Sequence, residues 1–379
     1  MKHRVRVEID LAALKRNYGR IVRHVAPAEV LCVLKADAYG LGVRQYARSL
    51  VTAGCRRFGV AEPFEAMALL RILKQMRSAG DGVRVQILSS VLPDEIEEMV
   101  FSEIVLPVVS MESAEAINAA AAKLRKKATV HFKIDTGMGR LGIPAKDAVR
   151  TVKAVRRLEW LDCEGIFSHC PVAYDPGDPF TAAQIASFSR LVSRLRREGV
   201  TFRYVHVAAS DAVNNFPAAA EPPFNMVRTG INLHGSFDPN GRRALNVEPV
   251  LTLKTTVAQV RRLPAGTTLG YGRTHKLAKA AKIATISAGY ADGLPLQLSN
   301  RGAVFIGGRR CPVVGRVSMD YTTVDVSSVD EVSCGDEVIC LGRCGDDAIT
   351  PDDWAAIKGT HAYDIICSLG TRVERVVRG

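Results

Sequence analysis

The chain contains no uninterrupted apolar run of the ~18 residues that a membrane helix requires, so no transmembrane span is expected. No apolar segment follows the charged stretch Met1-Lys-His-Arg-Val-Arg-Val-Glu-Ile-Asp10, so a secretory signal is not read there and a cytosolic location is expected. Its 9 cysteines, an odd number spread from Cys32 to Cys367, form no C-x-x-C pair and no disulfide framework. Cys334, Cys340 and Cys344 lack the histidine pair that would make them zinc ligands, so reduced thiols and no metal are expected. Acidic residues are fewer than basic ones, 39 against 51, giving a net charge of +12. Aromatics make up only 6% of the chain and are not interleaved with the dispersed Arg and Lys residues, which argues against a nucleic-acid interface. A positive surface of this kind favours anionic small molecules, such as a phosphate-bearing cofactor.

What is present is an ordinary globular composition, 47% hydrophobic and 24% charged, over 379 residues, a length suited to two domains. Residues 3–9 alternate in period two, as a strand does, and Asp10 is placed to cap a helix running through Tyr18. Short β-type runs then recur at Val30 to Leu34, Arg57 to Ala61, Arg84 to Leu88, Ile104 to Val109, Thr129 to Ile134, Asp162 to Phe167, Tyr204 to Ala208 and Met226 to Ile231. Helical patterns separate them. One such helix, from Glu62 to Lys74, has Pro63 in its first turn and Met67, Leu70 and Leu73 at core-packing positions. Eight βα repeats predict an α/β fold closed as a TIM-type (β/α)8 barrel.

After about residue 240 helical patterning nearly disappears. Segments 250–260, 282–287, 302–306, 321–326 and 337–341 read as strands separated by glycine turns, an all-β second unit. Residues 1–240 and 241–379 are the expected domains, with the boundary in Phe237-Asp-Pro-Asn-Gly-Arg242 and the first strand packing with the β unit.

The barrel segments carry the chemistry. Val30-Leu-Cys-Val-Leu-Lys-Ala-Asp-Ala-Tyr-Gly-Leu-Gly42 sets Lys35 at a strand's carboxyl end, before a glycine-punctuated turn. A lysine there either snorkels to solvent or, buried and deprotonated, forms a Schiff base with a carbonyl group. His131-Phe-Lys-Ile-Asp-Thr-Gly-Met-Gly-Arg-Leu-Gly142 satisfies G-x-G-x-x-G, but four β-type runs precede it, whereas a dinucleotide fingerprint belongs to the first βα turn. Its glycines are better read as a sharp turn aiming Arg140, whose planar fork suits a carboxylate. His169 stands at another strand end, and a lone histidine there is read by default as structural. His206-Val-Ala-Ala-Ser210 and Met226-Val-Arg-Thr-Gly-Ile231 offer a serine hydroxyl and backbone amides, natural phosphate donors. In the β unit, Tyr271 lies between two glycines in Leu269-Gly-Tyr-Gly-Arg-Thr274, as an ordinary turn tyrosine also would.

The Lys35 segment resembles the pyridoxal-phosphate lysine motif of the alanine racemases, and further segments match that family along nearly the whole chain. The resemblance implies pyridoxal 5′-phosphate on Lys35 and interconversion of L- and D-alanine, supplying D-alanine for peptidoglycan. Racemisation needs a proton acceptor on each face of the α-carbon, so a single lysine is insufficient. By resemblance, Lys35 serves the D-isomer and Tyr271 the L-isomer. Arg140 and the Met319 backbone then contact substrate, and Tyr39, Ser210, Gly230 and Ile231 hold the phosphate. Arg228, oriented by His206, faces the pyridine nitrogen, and His169 stands behind the ring.

An always-protonated arginine at that nitrogen leaves it unprotonated, which weakens the electron sink and favours racemisation over decarboxylation. Lys133 matches a lysine that many members carry as a carbamate; without that group, Lys133 and Arg140 repel. Asp320 lies near the second base, Tyr290 narrows the entrance, and Thr371 stands where many members have a phosphate-site tyrosine. The residues after His169, beginning Cys170-Pro171, depart from the family wording. The family pattern also implies a head-to-tail homodimer with shared sites. A serine racemase or related decarboxylase on the same fold is the alternative, and a non-catalytic cofactor carrier is disfavoured by Tyr271.

Overall fold

A computed structural model describes residues 3–76, 80–238 and 240–379 of the chain. Eight parallel strands follow one another around a barrel: Glu29–Val33, Arg57–Val60, Arg84–Ile87, Leu106–Val108, Ala128–Asp135, Leu161–Phe167, Tyr204–His206 and Met226–Thr229. Each coincides with one of the β-type runs read in the sequence. The parallel bridge between Gln86 and Val105 joins the two halves of the wall on one side. Backbone bonds from Asn225 N to Val205 O at 3.0 Å and from Arg228 N to Ala208 O at 3.0 Å join the last two strands, and Met226 pairs in register with Glu29 to complete the circle.

Local chemistry accounts for the helices around this wall. The Asp10 carboxylate accepts the Ala13 amide at 2.8 Å and starts the helix Leu11–Val25. The helix Pro63–Lys74 begins on proline and buries Ala66, Leu69, Ile72 and Leu73, with Met67 and Leu70 on the flank of the buried stripe. No helix among the described residues is long and apolar enough to cross a membrane.

The strand Arg6–Asp10 does not join the barrel. It lies between Leu251–Leu263, antiparallel, and Glu374–Arg378, parallel. The 13-residue strand Leu251–Leu263 is the spine of the second region. Its first half pairs with Arg6–Asp10 and Glu337–Cys344; past an irregularity at Val257/Gln259 it pairs with Ala281–Ile286. Two short helices, Pro351–Lys358 and Ala362–Cys367, interrupt the strands near the carboxyl end. The second of them packs on the segment Lys35–Gly40 and so reaches the barrel mouth. Of the expected boundary stretch, Pro239 lies outside the described residues.

Candidate active site

Lys35 follows the strand Glu29–Val33 after one residue, Leu34, at the mouth of the barrel where this fold places its chemistry. The next four residues, Ala36, Asp37, Ala38 and Tyr39, all have left-handed backbone angles, with φ of 52°, 54°, 54° and 61°. Such a turn costs an L-residue about 1–2 kcal/mol each, so surrounding bonds must hold it. The Glu65 carboxylate accepts the Ala36 amide at 2.5 Å and the Ala61 amide at 2.7 Å. Asp37 accepts the Val43 amide at 2.8 Å through its side chain, and Arg375 Nε donates to Gly40 O at 3.0 Å from the carboxyl-terminal strand. The turn swings Tyr39 inward, where it is only 3% exposed.

Around Tyr39 lies a cradle of neutral donors. Ser210 Oγ accepts the Gly230 amide at 3.0 Å, and any Cβ at Gly230 would overlap the Tyr39 hydroxyl. Ile231, fully buried, opens the short helix that follows Gly230. Burial raises the Tyr39 pKa, so its hydroxyl keeps its proton. A hydroxyl, a serine and backbone amides at one point suit a phosphate, and the absence of a side chain at Gly230 makes the room.

The structure adds a second tyrosine that the sequence reading missed. Tyr363, on Ala362–Cys367, lies at a tilt 5.9 Å from the Tyr39 ring and neighbours the Ser210 and Asp211 side chains. Thr371, expected to take a tyrosine's place in this cradle, is exposed beyond it. The correction follows from the helix: packing Ala362–Cys367 on the Lys35–Gly40 turn aims Tyr363, not Thr371, at the cradle. An aromatic residue at an apolar-face position of a short helix gives no sequence signal distinguishing this role from core packing.

Five cationic or imidazole groups crowd the mouth: Lys35, Lys133, Arg140, Arg228 and His169. Burial first, then the Arg140 charge, lowers the Lys35 pKa, although the side chain opens to solvent in the isolated chain. Lys133, 6% exposed, donates to Leu88 O at 2.7 Å; burial and the charges of Arg140, Arg228 and Lys35 push it down to about 8. Arg140 itself is exposed on a loop whose glycines take positive φ, 138° at Gly137 and 68° at Gly139, with Asp135 accepting both amides. Arg228 is buried, donating to His206 Nδ1 at 2.8 Å and to the carbonyls of Ser168 at 2.8 Å and Val207 at 3.1 Å. Burial pushes it down to about 10, so it stays protonated at neutral pH. His169, 3.4 Å from Arg228, is held neutral by burial and that charge, at about 3. The Cys170 thiol beside it is pushed up to about 11 by burial.

The second-unit residues form a separate group. Tyr271 is 73% exposed and shares a cavity of about 330 Å³ with Gly270, Arg316, Ser318, Tyr321 and Thr323. Met319, Tyr290 and Tyr321 are exposed nearby, and Asp320 is tied to Arg372 Nη1 at 2.7 Å. Arg372 also grips Asp292 at 2.7 and 2.9 Å. The cavity that Tyr271 lines is walled by second-unit residues, and Lys35 is not among them.

Comparison with known proteins finds the same pattern over the whole length. Residues 9–238 match the family described as alanine racemase, N-terminal domain, and residues 250–377 match alanine racemase, C-terminal domain. The alanine racemase of Geobacter sulfurreducens is 39% identical, covering 97% of this chain and 96% of its own. That of Methanococcus maripaludis is 36% identical over 99% of both chains. Among solved structures, the alanine racemase of Streptomyces coelicolor superposes with a TM-score of 0.91 at 33% identity, covering 99% of this chain and 98% of its own. The alanine racemase of Bartonella henselae, with covalently bound pyridoxal phosphate, gives a TM-score of 0.88 at 30% identity with 100% of both chains covered.

Proposed function

The chain belongs to the alanine racemase family and is an isomerase that uses pyridoxal phosphate, and we propose that Lys35 and Tyr271 are the two bases with which it interconverts L- and D-alanine. The observation that carries this reading is the joint placement, at one barrel mouth, of Lys35 and the Tyr39, Ser210 and Gly230 cradle. When bound, pyridoxal phosphate draws electrons from the substrate α-carbon and makes its proton removable. Lys35 holds the cofactor, and its Nζ, its charge disfavoured by burial and by Arg140, takes the α-proton of the D-isomer. Tyr271 Oη takes the α-proton of the L-isomer from the opposite face.

Tyr39, Ser210, Gly230 and Ile231 hold the phosphate, and Tyr363 supports them. Arg228, charged and held by His206, would donate to the pyridine nitrogen and leave it unprotonated, and His169 would pack against the ring. Arg140 clamps the substrate carboxylate, with the Met319 backbone beside it. The exposure of Tyr271, in a cavity walled by second-unit residues alone, supports a head-to-tail dimer, in which each barrel receives Tyr271, Met319 and Asp320 from a second copy. Tyr290 then narrows the entrance. We assign residues 1–240 to the cofactor-binding barrel and 241–379 to the unit that supplies the second base. The cell compartment is the cytoplasm, and the product D-alanine serves peptidoglycan synthesis.

Incubation with single enantiomers of alanine and of serine in heavy water, followed by chiral separation and mass analysis, tests the assignment. Both alanine isomers are expected with deuterium on the α-carbon, and serine should turn over more slowly. Label without inversion removes Tyr271 from its role, and loss of carbon dioxide removes the reaction class.

A further inference from the structure

Below Arg228 a column of hydrogen-bonded ionisable side chains continues down the barrel interior, and its lower members take no part in the chemistry above. Arg228 Nη1 lies 2.8 Å from His206 Nδ1, His206 Nε2 lies 3.1 Å from His131 Nδ1, and His131 Nε2 lies 3.0 Å from Glu164 Oε2. Glu164 is paired in turn with Arg57 at 3.4 Å, and Arg57 lies over the Tyr204 ring at 3.9 Å. Both histidines are fully buried, so water cannot substitute for any of these partners.

The two ends of the column have fixed polarity. A guanidinium only donates and an ionised carboxylate only accepts. Between them each neutral imidazole has one N–H and one lone pair, so only one arrangement satisfies every contact. His131 gives its Nε2–H to Glu164 and accepts on Nδ1; His206 gives its Nε2–H to His131 and accepts on Nδ1 from Arg228. The opposite arrangement sets an N–H against the guanidinium and a lone pair against the carboxylate. Burial holds both imidazoles below their ordinary range, and the bonds from His131 and Arg57 hold Glu164 at about 2 despite burial.

Backbone features aim the column. The pairing of Ala128–Asp135 with Leu161–Phe167 slips between Val130 and His131, so that Glu164 is the extra residue of a bulge, a device that redirects a side chain. A Cβ at Gly165 would overlap the His131 ring, and the His206 ring stacks on Phe167 at 4.9 Å and 4°.

We infer that Glu164 and His131 are positioning residues, which fix the tautomer of His206 so that it can only accept from Arg228 and thereby holds the guanidinium in place to donate toward the ring nitrogen of the cofactor. The inference rests on the assignment of Arg228 to that nitrogen. Neither residue touches substrate or cofactor; both act through His206.

Nitrogen NMR of the full-length protein labelled at histidine, without and with pyridoxal phosphate, reads the tautomers directly. The expected spectrum has His131 and His206 both protonated on Nε2, and Glu164→Gln, whose amide can also donate, should populate the other tautomer. In the same variant kcat should fall ~10-fold with alanine KM within about two-fold, as outer hydrogen-bond partners commonly behave, and the absorption of bound cofactor should shift. Glu164→Asp, which keeps an acceptor, should recover most of both. Wild-type imidazoles protonated on Nδ1, or an unshifted Glu164→Gln spectrum with unchanged kcat, overturn the inference. The cofactor-free tautomers need neither variant nor turnover. A protein that shows the expected tautomers but binds no pyridoxal phosphate therefore sinks the functional assignment and leaves the column's polarity standing.

Discussion

At the residue scale the two proposed bases differ in what their environments prepare them for. Burial and then the Arg140 charge lower the Lys35 pKa, whereas Tyr271 stands exposed on its own surface and, in the proposed dimer, acquires its environment from a second copy. Tyr271→Phe is therefore expected to lose α-deuterium exchange from L-alanine by ~10²-fold or more while exchange from D-alanine survives. Equal loss from both isomers would contradict the division of roles.

Lys133 carries a different consequence. Its pKa in the fold, about 8, lies below its ordinary 10.5, so the buried charge costs about 3 kcal/mol below pH 8. That cost fades as pH rises from 8 to 10.5. Carbamylation removes the cost at neutral pH by turning a cation among cations into an anion beside Arg140. Bicarbonate at pH 7 should then stabilise the protein against urea by ~1–3 kcal/mol, leave Lys133→Met unchanged, and have little further effect above pH 10. A bicarbonate gain that persists in Lys133→Met would place the effect elsewhere.

The informative element is the left-handed turn from Ala36 to Tyr39. The glycines at 40 and 42 announce a turn after Lys35, and the structure meets that expectation in kind. That four consecutive non-glycine residues take positive φ has no signature in the sequence, because the bonds that hold the turn come from Glu65, thirty residues on, and Arg375, at the far end of the chain. Glu65→Gln replaces one acceptor carboxylate by an amide and should weaken pyridoxal phosphate binding ~10-fold, with a loss of about 1–3 kcal/mol in urea unfolding. Fluorescence titration of the cofactor-free protein measures the first effect; unchanged affinity would show that the turn holds without Glu65. The helix Ala362–Cys367 illustrates the same limit. Its local sequence reads as an unremarkable six residues, and Tyr363 gains its role only where the helix docks.

For the whole molecule, the second region meets the Lys35 turn in the same chain through Ala362–Cys367 and Arg375, while the cavity that Tyr271 lines contains no barrel residue, so the proposed site draws its second base from another copy. A head-to-tail dimer makes a quantitative demand. Lys35→Ala and Tyr271→Phe homodimers each have two damaged sites, but a mixed dimer has one intact site and one carrying both lesions. Unfolding and refolding equal amounts together should restore about one quarter of wild-type activity, since half of the dimers are mixed and each has one good site of two. No restoration, with dimers present by sedimentation, would place both bases in the same chain.

The sequence by itself determined the parts that depend on near neighbours. Short β-rich runs recurring between helical stripes specified all eight barrel strands, because a strand buried on both faces reads as a local apolar run. Asp10 and Pro63 marked helix starts by bonds and ring geometry within three residues. Lys35 and Arg140 stood out in the sequence because one closes a strand-like run and the other follows a glycine, positions set locally. Tertiary structure alone decided what depends on residues distant in the chain: the strained turn under Lys35, Tyr363 in place of Thr371, the crowding that lowers Lys133, and the column from Arg228 to Glu164. Those contacts join strands or helices tens to hundreds of residues apart, and a bulge of a single residue suffices to turn Glu164 inward, a displacement that no local pattern of hydrophobic and polar residues encodes.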